Sequence, residues 1–256
     1  MNRPLQYLLD LTQVLTRKEI QIRYKNNVLG YLWSVLQPLS FALWYYIAFK
    51  IVMRIEMENY TLFLLTGLFP WQWFANSISE APNIFVSNAS IIKKINFSRH
   101  VLVVANIMND ALHFTLTIPV IILLCFVYDV SISLSWLYGI PILLILQTAM
   151  TYGLCLFIAS VNLFFRDLQR LVTILVTFLF FLTPIIYDYE MVPENYRYLV
   201  ALNPVAPLMT SWRSLFLTGQ LDPQALILTL VYSVAIFFLG RFTYGRLVDK
   251  FAEVIC

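Results

Sequence analysis

Few residues in this 256-residue chain have the type and spacing that chemistry requires. Asp188 and Glu190 form a D-x-E pair, and paired carboxylates can hold a divalent ion for sugar transfer. The charge distribution described below puts the pair on the outer side of a membrane, away from nucleotide-sugar donors, so a solvated loop end accounts for it better. His100 and His113 have no H-E-x-x-H or paired-carboxylate setting. Gly240 and Gly245 have G-x-x-x-x-G spacing, but Arg246 and Leu247 follow where a phosphate-binding loop needs Lys and Ser or Thr. Cys125, Cys155 and Cys256 lie in or beside apolar runs without ligand-like spacing, and they read as small apolar side chains. None of these residues indicates enzymatic activity. If ATP drives this chain, a partner supplies the ATPase.

Polar and aromatic residues inside the apolar runs are more informative. Asn106, Asp110, His113 and Thr117 are spaced by four, three and four residues, which puts them on one helix face. An ionisable group at membrane depth is costly in lipid and must face protein or water. Two readings fit: the polar wall of a pathway or proton relay, or an interhelical hydrogen-bond cluster with Glu80 or an arginine. With one acidic group clearly within a span, a proton-coupled carrier is disfavoured. Aromatics cluster at Trp44-Tyr45-Tyr46, Trp71, Trp73-Phe74 and Phe178, Phe180, Phe181. Interface belts and packing explain most such clusters, but ring faces also suit the C–H side of a sugar.

The elements that position these residues follow from composition. The chain is 60% hydrophobic and 12% charged, about half the charge of an ordinary soluble domain. So much apolar surface needs the bilayer as its solvent. Six uncharged or nearly uncharged runs are long enough to cross it, predicting spans at about 31–52, 60–80, 101–128, 137–162, 171–187 and 223–241 in a single domain, 1–256. The fold class is an all-α integral membrane protein. Arg3, Gln6, Asp10, Arg17 and Lys18 interrupt the N-terminus before an apolar signal core could form, so no cleaved signal peptide is expected. The net charge is +3 without a basic stripe, which argues against nucleic acid as a partner.

With the N-terminus inside, thirteen Lys and Arg fall on the cytoplasmic side and four (Lys50, Arg54, Arg197 and Arg213) outside. That bias orients both termini to the cytoplasm. Ahead of the first span, about 8–27 reads as an amphipathic helix on the membrane surface. Leu11, Leu15 and Ile22 lie toward lipid, and Arg17, Lys18, Arg23 and Lys25 toward anionic headgroups. The loop 83–99 carries Ile91, Ile92 and Ile95 beside Lys93 and Lys94 and can form a short helix that docks a soluble partner or lies on lipid. Between the fifth and sixth spans, Leu199–Trp212 is uncharged for 14 residues and holds Pro204 and Pro207. That is too short to cross, so short re-entrant helices at about 190–219, lining or lidding a pathway, compete with a loop resting on the bilayer.

Six stretches then carry a resemblance: RYKNNVLGYLWSVLQPL (Arg23–Leu39), LFPWQWFANSI (Leu68–Ile78), SNASIIKKINFSR (Ser87–Arg99), NLFFRDLQRLV (Asn162–Val172), FLTPIIYDYEMVPE (Phe181–Glu194) and LNPVAPLMTSWRSLFLTG (Leu202–Gly219). In order and content they resemble the permease subunits of ABC-2-type polysaccharide exporters, with O-antigen exporters nearest and teichoic-acid and capsule exporters as relatives. The resemblance implies a homodimer in the bacterial inner membrane with two copies of a separate ABC ATPase beneath it. It implies that ATP and magnesium sit on that partner, with no cofactor bound by this chain. It makes Ser90, Ile91, Ile92, Lys93 and Lys94 a coupling helix, with Arg166 and Asp167 in a second cytosolic contact. A polyprenyl-linked polysaccharide would pass between the first and fifth spans of both copies, which makes Trp44, Tyr45, Phe178 and Phe181 candidates for the substrate path. A drug or small-lipid exporter of the same family and a membrane glycosyltransferase are the rivals. The cytoplasmic loops hold only isolated carboxylates, which weighs against the transferase.

Overall fold

The computed structural model describes residues 5–24, 32–52, 54, 57, 59–95 and 97–254. The side chains of residues 5, 8, 9, 19, 20, 22–24, 34, 35, 37, 38, 41, 42, 49, 252 and 253 are not described. Among the described residues there is no strand. The helices are α1 (Leu5–Tyr24), α2 (Trp33–Tyr45, continuing as a π-helix over Tyr46–Val52), α3 (Tyr60–Glu80), α4 (Ile84–Ser87), α5 (Ala89–Lys94) and α6 (His100–Val127). They continue with α7 (Trp136–Asn162), α8 (Leu168–Leu182), α9 (Arg197–Ala201), α10 (Ala206–Thr218), α11 (Pro223–Leu247) and α12 (Phe251–Val254).

Helix ends follow local chemistry. Asp222 caps α11 by accepting from the Gln224 and Ala225 amides at 3.0 and 3.4 Å, with Pro223 at the first helical position. At the end of α6, Asp129 takes a positive φ of 53°, and the Val130 amide closes on the Cys125 carbonyl at 2.9 Å. That is the six-to-one bond of a Schellman stop. The fifth expected span, about 171–187, contains a helix that ends at Leu182. Pro184 disfavours helical geometry in the residue before it, and Thr183 is extended at φ −93°, ψ 132°.

Helix α3 is the axis of the bundle. It buries 15 of its 21 residues and touches α2, α6, α7, α8 and α10. On the far side, α7 and α11 cross with their backbones in contact. A Cβ on Gly240 would fall on the Gly153 carbonyl, and a Cβ on Gly153 would fall on the Ile236 carbonyl. Without a hydrophobic driving force between helices in lipid, such close backbone approach is how spans gain dispersion energy. The false phosphate-loop glycine, Gly240, therefore has a packing role. Among the described residues, three helical stretches are long and apolar enough to cross a bilayer: His100–Val127, Trp136–Asn162 and Pro223–Lys250.

Candidate functional site

Helix α8 is sided. Val172 and Phe180 are buried, while Leu171, Ile174, Leu175, Phe178 and Phe181 form an exposed stripe, with Phe178 and Phe181 each 58% exposed. Phe180 anchors the helix. Its ring lies 5.6 Å from Tyr45, 5.7 Å from Trp71 and 5.3 Å from Phe181. Tyr45 thereby joins α2 to α8 and is half-buried, whereas Trp44 beside it is 67% exposed. Of the four aromatics expected on a path, Trp44, Phe178 and Phe181 present open faces, and Tyr45 serves the contact that holds the two helices together. Tyr45 stands at the junction where α2 widens into its π-helical end, a feature often found at functional sites.

Beyond α8, four consecutive residues are held from three directions. Arg213 of α10, 7% exposed, donates Nη1 to the Pro184 carbonyl at 2.6 Å and Nη2 to the Ile185 carbonyl at 2.7 Å. The Tyr60 hydroxyl donates to the Ile186 carbonyl at 3.1 Å, and Asn203 Nδ2 donates to Thr183 Oγ1 at 2.8 Å. The Arg213 guanidinium also lies over the Phe63 ring at 3.7 Å, and Gly67 leaves the room it occupies. Charge counting reads Arg213 as one more outer-loop cation, whereas the fold buries it. Its partners are main-chain carbonyls almost thirty residues away, which no side-chain pattern announces. Next to it, Trp212 Nε1 donates to Gln147 Oε1 at 2.6 Å, and Gln147 Nε2 donates to the Pro70 carbonyl at 2.8 Å. Helix α10 is thus fixed to α3 and α7, while α9 before it is largely exposed.

At the opposite end, the loop expected to dock a partner forms α4 and α5. Ser90, Lys93 and Lys94 are exposed, Ile91 is half-buried, Ile92 is 8% exposed and Ile95 is 56% exposed. The three isoleucines therefore do not make one face: Ile92 packs inward and Ile95 points out. Asn88, between the two short helices, donates Nδ2 to the Ile84 carbonyl at 2.9 Å and accepts from Lys18 Nζ at 3.0 Å. Arg166 and Asp167 are exposed in the turn before α8. Asn162 Nδ2, four residues before Arg166, donates to the Pro82 carbonyl at 2.8 Å, tying that turn to the loop leading into α4. Phe85, Tyr244 and Phe251 stack with centroids 5.1–6.3 Å apart, an aromatic knot that seats the C-terminal segment on α4.

Helix α1 packs against α6, with Leu15 and Thr16 buried and Leu11 half-buried. Of the apolar edge expected to lie on lipid, Leu15 is covered by protein and Leu11 partly so, because α6 offers an apolar face of its own. Arg17 is exposed and Lys18 half-buried. Lys25 and the side chains of Ile22 and Arg23 lie outside the described residues. In α6, Asp110 is buried and accepts from Ser77 Oγ of α3 at 2.7 Å, and Cys155 Sγ of α7 donates to the Ser77 carbonyl at 3.3 Å. The carboxylate faces an interhelical cluster whose partner is a serine on α3.

The sequence profile of the ABC-2 type transporter family matches residues 10–217. This chain belongs to that family of membrane proteins. Among its relatives, two Klebsiella pneumoniae proteins named O-antigen export system permease protein RfbA are 45% and 44% identical over 255 residues, covering 100% of this chain and 98% of each relative. A Myxococcus xanthus protein of the same name is 30% identical over 248 residues, 94% of each chain. The Escherichia coli polysialic acid transport protein KpsM is 24% identical over 245 residues, 91% of each.

Proposed function

We propose that the chain is the channel-forming membrane subunit of an ATP-driven exporter that carries lipid-linked O-antigen-type polysaccharide from the cytoplasmic to the outer side of the bacterial inner membrane. Full-length identity of 45% to an O-antigen export permease carries this reading. In it, two copies of the chain pair, each with six spans and both termini cytoplasmic, and two copies of a separate ABC ATPase dock beneath them. The chain makes no bonds; ATP and magnesium act on the partner subunit. Ser90, Ile91, Lys93, Lys94, Arg166 and Asp167 meet the ATPase, and buried Ile92 fixes α5 in place. Trp44, Phe178 and Phe181 face the polymer, Tyr45 sets the spacing of α2 from α8, and α9–α10 form a re-entrant pair at the outer mouth. Arg17, Lys18, Arg23 and Lys25 hold α1 at the anionic surface.

Affinity purification in mild detergent tests the assembly: an ATP-hydrolysing subunit should accompany the chain at equal stoichiometry. A chain that purifies alone, from cells in which polymer export is running, sinks the proposal. Capsular or teichoic-acid export is the second reading, and the polysialic acid transport relative favours it at lower identity. Complementation of an O-antigen export mutant separates the two.

A further inference from the structure

Two adjoining clefts open where α6 begins and α11 ends, and they share His100 and Arg241. One, of about 430 Å³, is polar, with Arg99, Arg241, His100 and Ser98 on its walls and Asp249 as the carboxylate among its described lining residues. The other, of about 630 Å³, is apolar and runs between α6, α7 and α11 past Val104, Ile145, Ala149 and Phe237. Arg99 is partly committed, donating Nη1 to the Val248 carbonyl at 2.6 Å and lying 5.5 Å from the Phe251 ring. Arg241 lies beside the Tyr152 hydroxyl and is exposed. At the start of α6 the Val101 and Leu102 amides donate to the Ser98 and Arg99 carbonyls at 3.1 Å, so the cations offered to the polar cleft are the Arg99 and Arg241 side chains. The three helices around the apolar cleft are, among the described residues, the ones whose length and composition suit a bilayer.

We infer that this paired cleft is a binding site for an anionic glycerophospholipid, with its phosphate between Arg241, Arg99 and His100 and one acyl chain along α7. Two guanidinium groups against one carboxylate favour an anion, and the adjoining apolar cleft demands that the anion carry a chain. The apolar lining along α7 runs from Tyr152 to Leu144, eight residues or about 12 Å at the rise of a helix. That lies within one leaflet's half of the ~30 Å hydrocarbon core. That length seats a large part of an acyl tail and only a small part of a long polyprenyl chain. The site gives α11, which packs mainly on α7, a lipid-dependent second attachment to α6.

The test is native mass spectrometry of the purified full-length chain titrated with phosphatidylglycerol and phosphatidylcholine of equal chain length. Phosphatidylglycerol should bind with clear preference. Arg241→Gln should weaken it by about tenfold, the loss of one charge-assisted contact. Arg246→Gln, on the same helix but over the Phe242 ring at 4.9 Å, should leave it unchanged. Thr148→Trp, which fills the apolar cleft, should lower binding without touching a cation. Equal binding of the two lipids, or an unaltered affinity in Arg241→Gln, overturns the inference. So does competition by inorganic pyrophosphate at the lipid's own concentration, or tighter binding of a polyprenyl phosphate than of phosphatidylglycerol.

Discussion

Helices α3 and α8 are both apolar, both aromatic and adjacent, yet the fold treats them oppositely. α3 is enclosed from Leu62 to Trp71, and three of its polar groups reach neighbouring segments: the Tyr60 hydroxyl on Ile186, Ser77 on Asp110 and the Pro70 carbonyl on Gln147. α8 turns one ring, Phe180, into that enclosure and leaves Phe178 and Phe181 outside it. Mean hydropathy does not separate the two helices by role. What separates them is whether neighbours within the same chain use up the surface. Surface left over on α8 and on Trp44 of α2 is available for work between chains or on a cargo.

The comparison can be broken most severely at the scaffold. Gly240→Leu should abolish folded protein, because its side chain collides with the backbone of α7. Overpacking costs ~1–3 kcal/mol even where side chains can yield, and here a carbonyl cannot. Fluorescence-detected size-exclusion chromatography would reveal loss of the folded peak. Next, Arg213→Met leaves the Pro184 and Ile185 carbonyls without their charged donor and should cost about 3 kcal/mol. Arg213→Lys, which can reach one carbonyl at a time, should melt between the two. A lysine variant that melts with the parent would show that the forked geometry is dispensable.

The sharper experiment pairs neighbours on α8. Phe180→Ala should cost about 3 kcal/mol in stability by removing the ring that packs on both Tyr45 and Trp71. Phe178→Ala should change stability by no more than about 0.5 kcal/mol while lowering polymer export roughly tenfold, the equivalent of one aromatic contact of ~1.4 kcal/mol. If both lose stability alike, the exposed stripe has no separate role. At the docking end, Ile95→Asp should uncouple ATP hydrolysis from export and leave the melting temperature in place. Ile92→Asp, by contrast, buries a charge and should lower that temperature. Trp212→Phe tests the tie between α10 and α7. It removes the hydrogen bond to Gln147 and leaves a cavity where the indole's second ring packed, for a loss of about 2 kcal/mol in thermal unfolding.

These pairs mark how far residue patterns reach. The extents of α3, α6 and α7 lie close to the nearly uncharged runs, since a charge within a span is costly wherever it falls, whereas α11 continues past Arg241 to Leu247. The facing of Asp110 toward protein follows from the same cost, though Ser77 as its partner does not. Which ring of Phe178, Phe180 and Phe181 turns inward is hidden, because lipid-facing, cargo-facing and core-facing positions are all apolar and no polar face marks the outside. The clamp on Thr183–Ile186 is hidden for another reason. Three of its acceptors, the Pro184, Ile185 and Ile186 carbonyls, are main-chain atoms that every residue owns, so side-chain chemistry carries no trace of them. For α1, the pattern Leu11–Leu15 gives an apolar edge but cannot say whether lipid or α6 covers it.

The crossing of α7 and α11 has a consequence for how this sequence can drift. At most positions substitutions grade from conservative to radical, because size and polarity change by degrees. Gly153 and Gly240 have no such gradient: the atom each excludes is Cβ, which every other amino acid carries. Alanine and tryptophan fail there at the same first atom. A saturation library scored for growth should therefore show these two positions as flat troughs, with no tolerated neighbour from which a lineage could step to a second solution.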